Sequence, residues 1–153
     1  MTKKYTAVGL MSGTSMDGVD ASIIQSDGED KLEILDNHYV SYDNKIQEDT
    51  QNVKEKIHSL SDIQKNKNLL ISLEKEITIF QAKVVEAILN KTNLKKNEID
   101  LIGFHGQTLY HSFEEKVSKQ LGDGNLMNKL TGIRVVFNFR ENDIMNGGQG
   151  APL

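Results

Sequence analysis

Residues 5–20 read Tyr-Thr-Ala-Val-Gly-Leu-Met-Ser-Gly-Thr-Ser-Met-Asp-Gly-Val-Asp, and this stretch decides the fold. Residues 5–11 form an apolar run of strand type. It empties into a loop of small residues from Ser12 to Gly18. Residues 19–26 then alternate, with Val19, Ala21 and Ile23 on one side, the pattern of a half-buried strand. Asp27-Gly28 is a turn signal. Residues 31–41 supply a third strand, with Leu32, Ile34 and Tyr39 among its apolar positions. Three strands joined by tight turns predict an antiparallel meander.

The loop is the first candidate for chemistry. Gly13 and Gly18 let the backbone turn its N–H groups toward one point, a nest for an anion. Ser12, Thr14 and Ser15 add hydroxyl donors. Asp17 and Asp20 would repel a phosphate unless a cation lay between them, and carboxylate plus phosphate is the common way to hold Mg²⁺. No lysine follows the glycine and a strand rather than a helix comes next, so this is not a Walker loop. The alternative is a tight hairpin built of turn residues.

Outward from the meander, residues 44–98 hold ten lysines and eight acids and neither glycine nor proline. Leu69, Leu73, Ile77, Phe80, Val84 and Ile88 recur at steps of three and four, one face of a long helix. The mixed charges are its solvated side, and Ser61-Asp62 is a candidate cap. Residues 99–104 form another apolar strand that runs into His105-Gly106-Gln107-Thr108. A weaker strand follows near 117–121. Gly122-Asp123-Gly124 opens a short helix across 125–131, Gly132 ends it, and Ile133–Phe137 reads as a buried strand. Strands, a long helical segment and strands again predict a single α/β domain: a mixed sheet with an N-terminal antiparallel meander and packed helices.

Two further segments could carry chemistry. His105-Gly106-Gln107-Thr108 follows a buried strand, where α/β sheets place ligands. Its side chains suit sugar hydroxyls, or the histidine is held at the edge of the core. Asn138-Phe139-Arg140-Glu141-Asn142-Asp143 holds one of only two arginines, against sixteen lysines. Arg140 can grip a carboxylate in fork geometry, or pair internally with Asp143 or Glu141.

Composition narrows the classes. The chain has 153 residues, 37% of them hydrophobic and 26% charged, enough for one globular domain. A net charge of −4 gives no electrostatic case for nucleic acid as a partner. The absence of cysteine excludes a disulfide framework. No run approaches the roughly 18 apolar residues that would span a bilayer. The first residues lack a signal-peptide pattern, so no membrane role and a cytoplasmic location are expected.

Taken in order, the loop at 9–20, Gly-Phe-His-Gly-Gln-Thr at 103–108, Gly-Asp-Gly at 122–124, and Phe-Arg-Glu-Asn-Asp-Ile at 139–144 with Gly-Gly-Gln-Gly-Ala-Pro-Leu at 147–153 resemble the anhydro-N-acetylmuramic acid kinase family. The resemblance implies an actin-like, ribonuclease H-like sugar-kinase lobe. It implies an enzyme of cell-wall (peptidoglycan) recycling that uses ATP and Mg²⁺ to convert 1,6-anhydro-N-acetylmuramic acid to N-acetylmuramic acid 6-phosphate. It implies that Gly13, Thr14, Ser15, Met16, Asp17, Gly18, Val19 and Asp20 form the ATP phosphate loop, with Asp17 on the metal. His105, Gln107, Thr108, Arg140 and Asp143 would line the sugar side. One departure is Asn138, where the family usually has aspartate. The other is extent. The family's Asn-Ile-Gly-Gly and Asp-Thr-Gly-Pro-Gly-Asn segments, the second carrying its general base, have no counterpart in residues 1–153. Residues 1–153 are therefore expected to be an N-terminal lobe without the C-terminal one, inactive alone, and a complementary C-terminal chain is a candidate partner. A non-catalytic sugar- or nucleotide-binding fragment is the alternative.

Overall fold

A computed structural model describes residues 3–150 of the chain. The meander forms as the alternation predicts: β1 (Tyr5–Ser12), β2 (Gly18–Ser26) and β3 (Leu32–Ser41) pair antiparallel in that order. The chain then turns helical through α1 (Asn44–Lys54), α2 (Leu60–Lys65) and α3 (Lys67–Thr92). A 3-10 turn at Lys96–Glu98 leads into β4 (Leu101–Ser112), which returns parallel to β1. β5 (Val117–Leu121), α4 (Gly124–Thr131), β6 (Val135–Val136) and α5 (Glu141–Met145) follow. The sheet order is β3-β2-β1-β4-β5, with β6 on β4. Beside β1, β4 is long enough to serve two more neighbours on its other edge. Its first half pairs parallel with β6 at Ile102 and Gly103, and its second half pairs antiparallel with β5 from Gln107 onward. This is the mixed α/β sheet expected of an actin-like lobe.

α1, α3 and α4 pack on one face of the sheet. Val8, Leu10, Val19, Ala21, Ile23, Ile102 and Phe104 point into a core closed by Leu70, Leu73, Ile77, Val84, Val85 and Ile88 of α3. Each fully buried aliphatic side chain contributes about 1.5–3 kcal/mol, so this seam supplies most of what holds the helix to the sheet. The opposite face carries no helix from α1, α3 or α4. There Ala7, Gly9 and Met11 of β1 lie beside Ile24, Ser22 and Asp20 of β2. Those in turn lie beside Ile34, Asn37 and Tyr39 of β3.

Local chemistry explains the boundaries and several departures from the sequence reading. The stripe of α3 begins at Leu70; Leu69 is 43% exposed. A start one residue later keeps the helical period and rotates the face toward the sheet. The capping residue is Ser59, not Ser61: its side chain accepts from the Asp62 amide, while Asp62 accepts from the His58 amide. Asp123 caps α4 by accepting from the amides of Asn125 and Leu126, and Gly132 ends it in the left-handed conformation. The strand expected over 133–137 shrinks to Val135–Val136: Ile133 follows directly on the left-handed Gly132, and the left-handed Asn138 and the turn at Phe139–Arg140 end it. His105–Thr108 lie inside β4, not beyond its end. Ile144 is buried and Met145 is exposed.

Candidate functional site

The site begins where β1 ends. Ser12, Gly13 and Gly18 bracket a tight loop, closed by the Met16 amide donating to the Gly13 carbonyl at 3.2 Å. Thr14, Ser15 and Asp17 are exposed at its tip, and Asp20 is exposed on β2. Ser15 Oγ donates to Asp17 Oδ1 at 2.7 Å. Met16, Gly18 and Val19 are buried; Val19 sits within the β2 ladder, and Met16 drops its side chain into the interior. Met16 holds φ at 58°, a left-handed conformation that costs a non-glycine residue about 1–2 kcal/mol. The buried side chain offsets that cost and pins the loop's second half.

β4 pins the first half through a bulge. Leu10 pairs with Phe104, but Ser12 pairs with Gln107, so β4 carries one extra residue at His105-Gly106. Gly106 has φ of 72°, and a side chain there would strike the Leu121 carbonyl, so only glycine fits. The extra residue shifts the alternation. Without it Gln107 would point away from the core; with it Gln107 lies on the same face as Phe104, wholly buried and facing Ser12. Its amide is fully engaged: Oε1 accepts from Ser12 Oγ, and Nε2 donates to the Gly13 carbonyl at 2.9 Å.

His105 lies on the other side of the strand. Its Nδ1 is 3.0 Å from the Gly106 carbonyl, which only accepts, so Nδ1 carries the proton and Nε2 is an acceptor. Among the described residues nothing meets Nε2, which is buried. Desolvation, and secondarily the nearby Arg140 charge, pull the imidazole below its ordinary value and keep it neutral; the Gly106 carbonyl opposes them. A cavity of about 10 Å³ separates Phe104 and His105 from Phe139 and Arg140, room for a single water. Gln120 and Asn138 line both it and a groove of about 360 Å³ between β5 and α5, where Lys116, Glu141 and Met145 also stand.

Arg140 makes no ion pair among the described residues, with neither Asp143 nor Glu141. Asp143 is turned inward to the glycine turn, where its carboxylate accepts from the Gly150 amide at 2.7 Å. Thr108 is half-buried and pairs with Gln120 of β5. Asn138 takes φ of 58°, a conformation that asparagine and aspartate tolerate better than other side chains, which suits either residue at this position. Among the described residues no cluster of three metal-ligating side chains exists. The structure thus joins the loop to Gln107 and joins His105 to Arg140, and Gln107 lies two residues from His105 on the opposite face of β4.

Two participants were absent from the sequence reading. Tyr42 and Gln81 are buried beneath the loop, with Gln81 Nε2 donating to the Tyr42 hydroxyl at 2.8 Å. Gln81 could have been found: it is the one amide in the apolar stripe of α3, four residues after Ile77. Tyr42 had no such signal.

Residues 5–153 match the family described as anhydro-N-acetylmuramic acid kinase. The chain is 52% identical over its whole length to a protein of that name from Pelagibacter ubique (strain HTCC1062), covering 40% of that protein. It is 40% identical over 97% of its length to one from Rhizobium etli, and 38% identical over its whole length to one from Agrobacterium fabrum, covering 40% and 41% of those proteins. The chain therefore spans about two fifths of the length of these relatives. On the match across residues 5–153, the chain belongs to the anhydro-N-acetylmuramic acid kinase family.

Proposed function

We propose that residues 1–153 form the lobe of a cytoplasmic sugar kinase that binds the phosphates of ATP on the loop Gly13–Asp20. The reaction is the family's: transfer of the γ-phosphoryl group to O6 of 1,6-anhydro-N-acetylmuramic acid, with water opening the anhydro bridge, in cell-wall recycling. One observation carries the reading. The Gly13 carbonyl is held inward by Gln107 Nε2 and the Met16 amide. In a trans peptide the N–H points opposite to the C=O, so the Thr14 N–H is directed outward. Among the described residues no protein acceptor meets the Thr14 or Ser15 amide. These two amide donors and the Thr14 hydroxyl are an anion nest with its mouth open, while the Ser15 hydroxyl is held on Asp17.

Asp17, whose carboxylate is exposed at the loop tip, suits a hydrated Mg²⁺ shared with phosphate oxygens, and Asp20 supports it from β2. Bound there, the ion would neutralise charge on the transferred group. On the sugar side Arg140, unpaired among the described residues, offers its guanidinium to the lactyl carboxylate. His105 Nε2, an acceptor by tautomer, takes a hydroxyl proton donor. Thr108 lies on the same stretch of β4. Gln107 and Asp143 serve by holding the two loops. Turnover calls for a general base and a second lobe, supplied by further chain or by a complementary polypeptide.

Calorimetry of the purified 153-residue chain with Mg-ATP, and separately with the anhydro-sugar, tests the reading. Mg-ATP binding that Thr14→Val and Ser15→Ala each weaken is expected, with no phosphorylation of the sugar by this chain alone. Mg-ATP binding indifferent to both substitutions would place the nucleotide elsewhere and overturn it. Binding of both ligands without turnover even when the complementary chain is added would favour a non-catalytic binding fragment.

A further inference from the structure

The loop from Ser12 to Asp20 carries two carboxylates, Asp17 and Asp20, and no cation of its own. α1 brings one to it. Lys54 is the last residue of that helix, and its Nζ stands 3.5 Å from the Thr14 carbonyl at the loop tip, 40 residues away along the chain. Among the described residues it is the one cation whose side chain donates to this loop, and it makes no ion pair with a carboxylate. Its backbone is fixed on both sides. Val53 and Ile57 are buried in the core, and the Lys54 carbonyl accepts from the Ile57 amide at 3.1 Å. Ahead of α1, the Tyr42 amide donates to the Asp17 carbonyl at 2.9 Å, which ties the helix to the loop. The Lys54 side chain itself is exposed. A lysine in the last turn of a helix commonly answers that helix's own final carbonyls. This one reaches across to Thr14 instead.

We propose that Lys54 is a phosphate-binding residue, whose ammonium leaves the Thr14 carbonyl for an oxygen of the ATP phosphates held on the Thr14 and Ser15 amides. The inference rests on the reading of Gly13–Asp20 as the phosphate loop. At 3.5 Å the contact with the carbonyl is long for a hydrogen bond, and a phosphate oxygen offers a shorter, charge-assisted one. The Thr14 carbonyl and the Ser15 N–H belong to one trans peptide and point opposite ways, so the ammonium flanks the nest without filling its mouth. The flexible four-carbon stem lets the charge move from one to the other. Electrostatics calls for such a cation. A polyphosphate beside Asp17 and Asp20 meets two like charges, and one hydrated Mg²⁺ offsets only part of the total. A Walker loop carries its lysine next to its glycine. Here the lysine comes from a helix that the fold lays beside the loop.

The test is calorimetric titration of the 153-residue chain with Mg-ATP at low and at physiological salt, with a thermal melt of each variant. It compares wild type, Lys54→Met, Lys54→Arg and Thr14→Val. Lys54→Met is expected to weaken binding about tenfold at low salt, the worth of one charge-assisted hydrogen bond. The loss should shrink at physiological salt, because the missing attraction is the part that salt screens. Lys54→Arg should recover most of the affinity, since it keeps the charge. The melting temperature should hold in both Lys54 variants, because the side chain is exposed. Binding that Lys54→Met leaves at wild-type strength while Thr14→Val weakens it overturns the proposal and keeps the loop reading. Equal losses in Lys54→Met and Lys54→Arg would make the role one of packing and overturn it as well. A wild-type chain that binds no Mg-ATP, or binds it indifferently to Thr14→Val, removes the loop reading and this inference with it.

Discussion

At the scale of the residue, His105 and Asn138 have measurable signatures. The imidazole is held below its ordinary value of 6.5 by burial and by Arg140. The unfolded chain then binds a proton that the folded chain resists, so stability is complete above that ordinary value and falls as the pH drops through it toward the folded value. Thermal melts from pH 7.5 down to 5.5 should show this slope, and His105→Gln should flatten it. A slope unchanged in the variant would assign the effect to other groups; the lowered carboxylates of Asp27, Asp36 and Asp62 act in a more acidic window. At Asn138, φ of 58° sets the outcome of substitution. Asn138→Ala should cost about 1 kcal/mol, because a β-carbon disfavours the left-handed conformation without an amide to compensate. Asn138→Gly should cost nothing or stabilise slightly, and chemical denaturation would rank the two.

At the scale of the element, α3 separates pattern from placement. Ile77 and Leu69 both belong to the predicted stripe, but Ile77 is fully buried and Leu69 is 43% exposed. Ile77→Ala should therefore cost about 2–5 kcal/mol through lost contact and cavity. Leu69→Ala should stay within about 0.5 kcal/mol, as for surface positions. Equal losses at the two positions would mean the helix is rotated from the orientation described. α4 offers a separate check on local chemistry. Asp123 accepts from two amides of its first turn, so Asp123→Ala should remove about 1 kcal/mol of stability with no change in the rest of the sheet.

At the scale of the whole molecule, the sheet is covered unequally. α1, α3 and α4 close one face, while on the other Met11, Ile34, Tyr39 and Val136 are each about half exposed or more. Apolar surface of this extent on a sheet is prone to association. Sedimentation of the 153-residue chain should show self-association rising with concentration, and Ile34→Thr with Val136→Thr should suppress it while leaving the melting temperature nearly unchanged. Monomeric behaviour at high concentration would show that this face tolerates water as it stands.

The sequence alone determined the meander, the long helix, the glycine that ends α4 and the four motifs that carry the family resemblance. Those features are local: period two, period 3.6, and residues chosen for a backbone angle. Tertiary structure decided the rest. Nothing in the order of residues says that β4 is long enough to pair with both β6 and β5. The single-residue bulge at Gly106 turns Gln107 from a surface amide into a buried strut of the loop, and it shows only in the register of β4 against β1. Tyr42 gave no sign of involvement, since it follows β3 in the chain and meets Gln81 only when α3 folds back across the sheet. Asp143 likewise reads as a candidate ligand until the chain turns and brings the Gly150 amide to its carboxylate. A side chain's type is written in the sequence, but the partners that use up its hydrogen bonds are brought by distant segments, and those partners decide whether it meets a ligand or holds the loop that does.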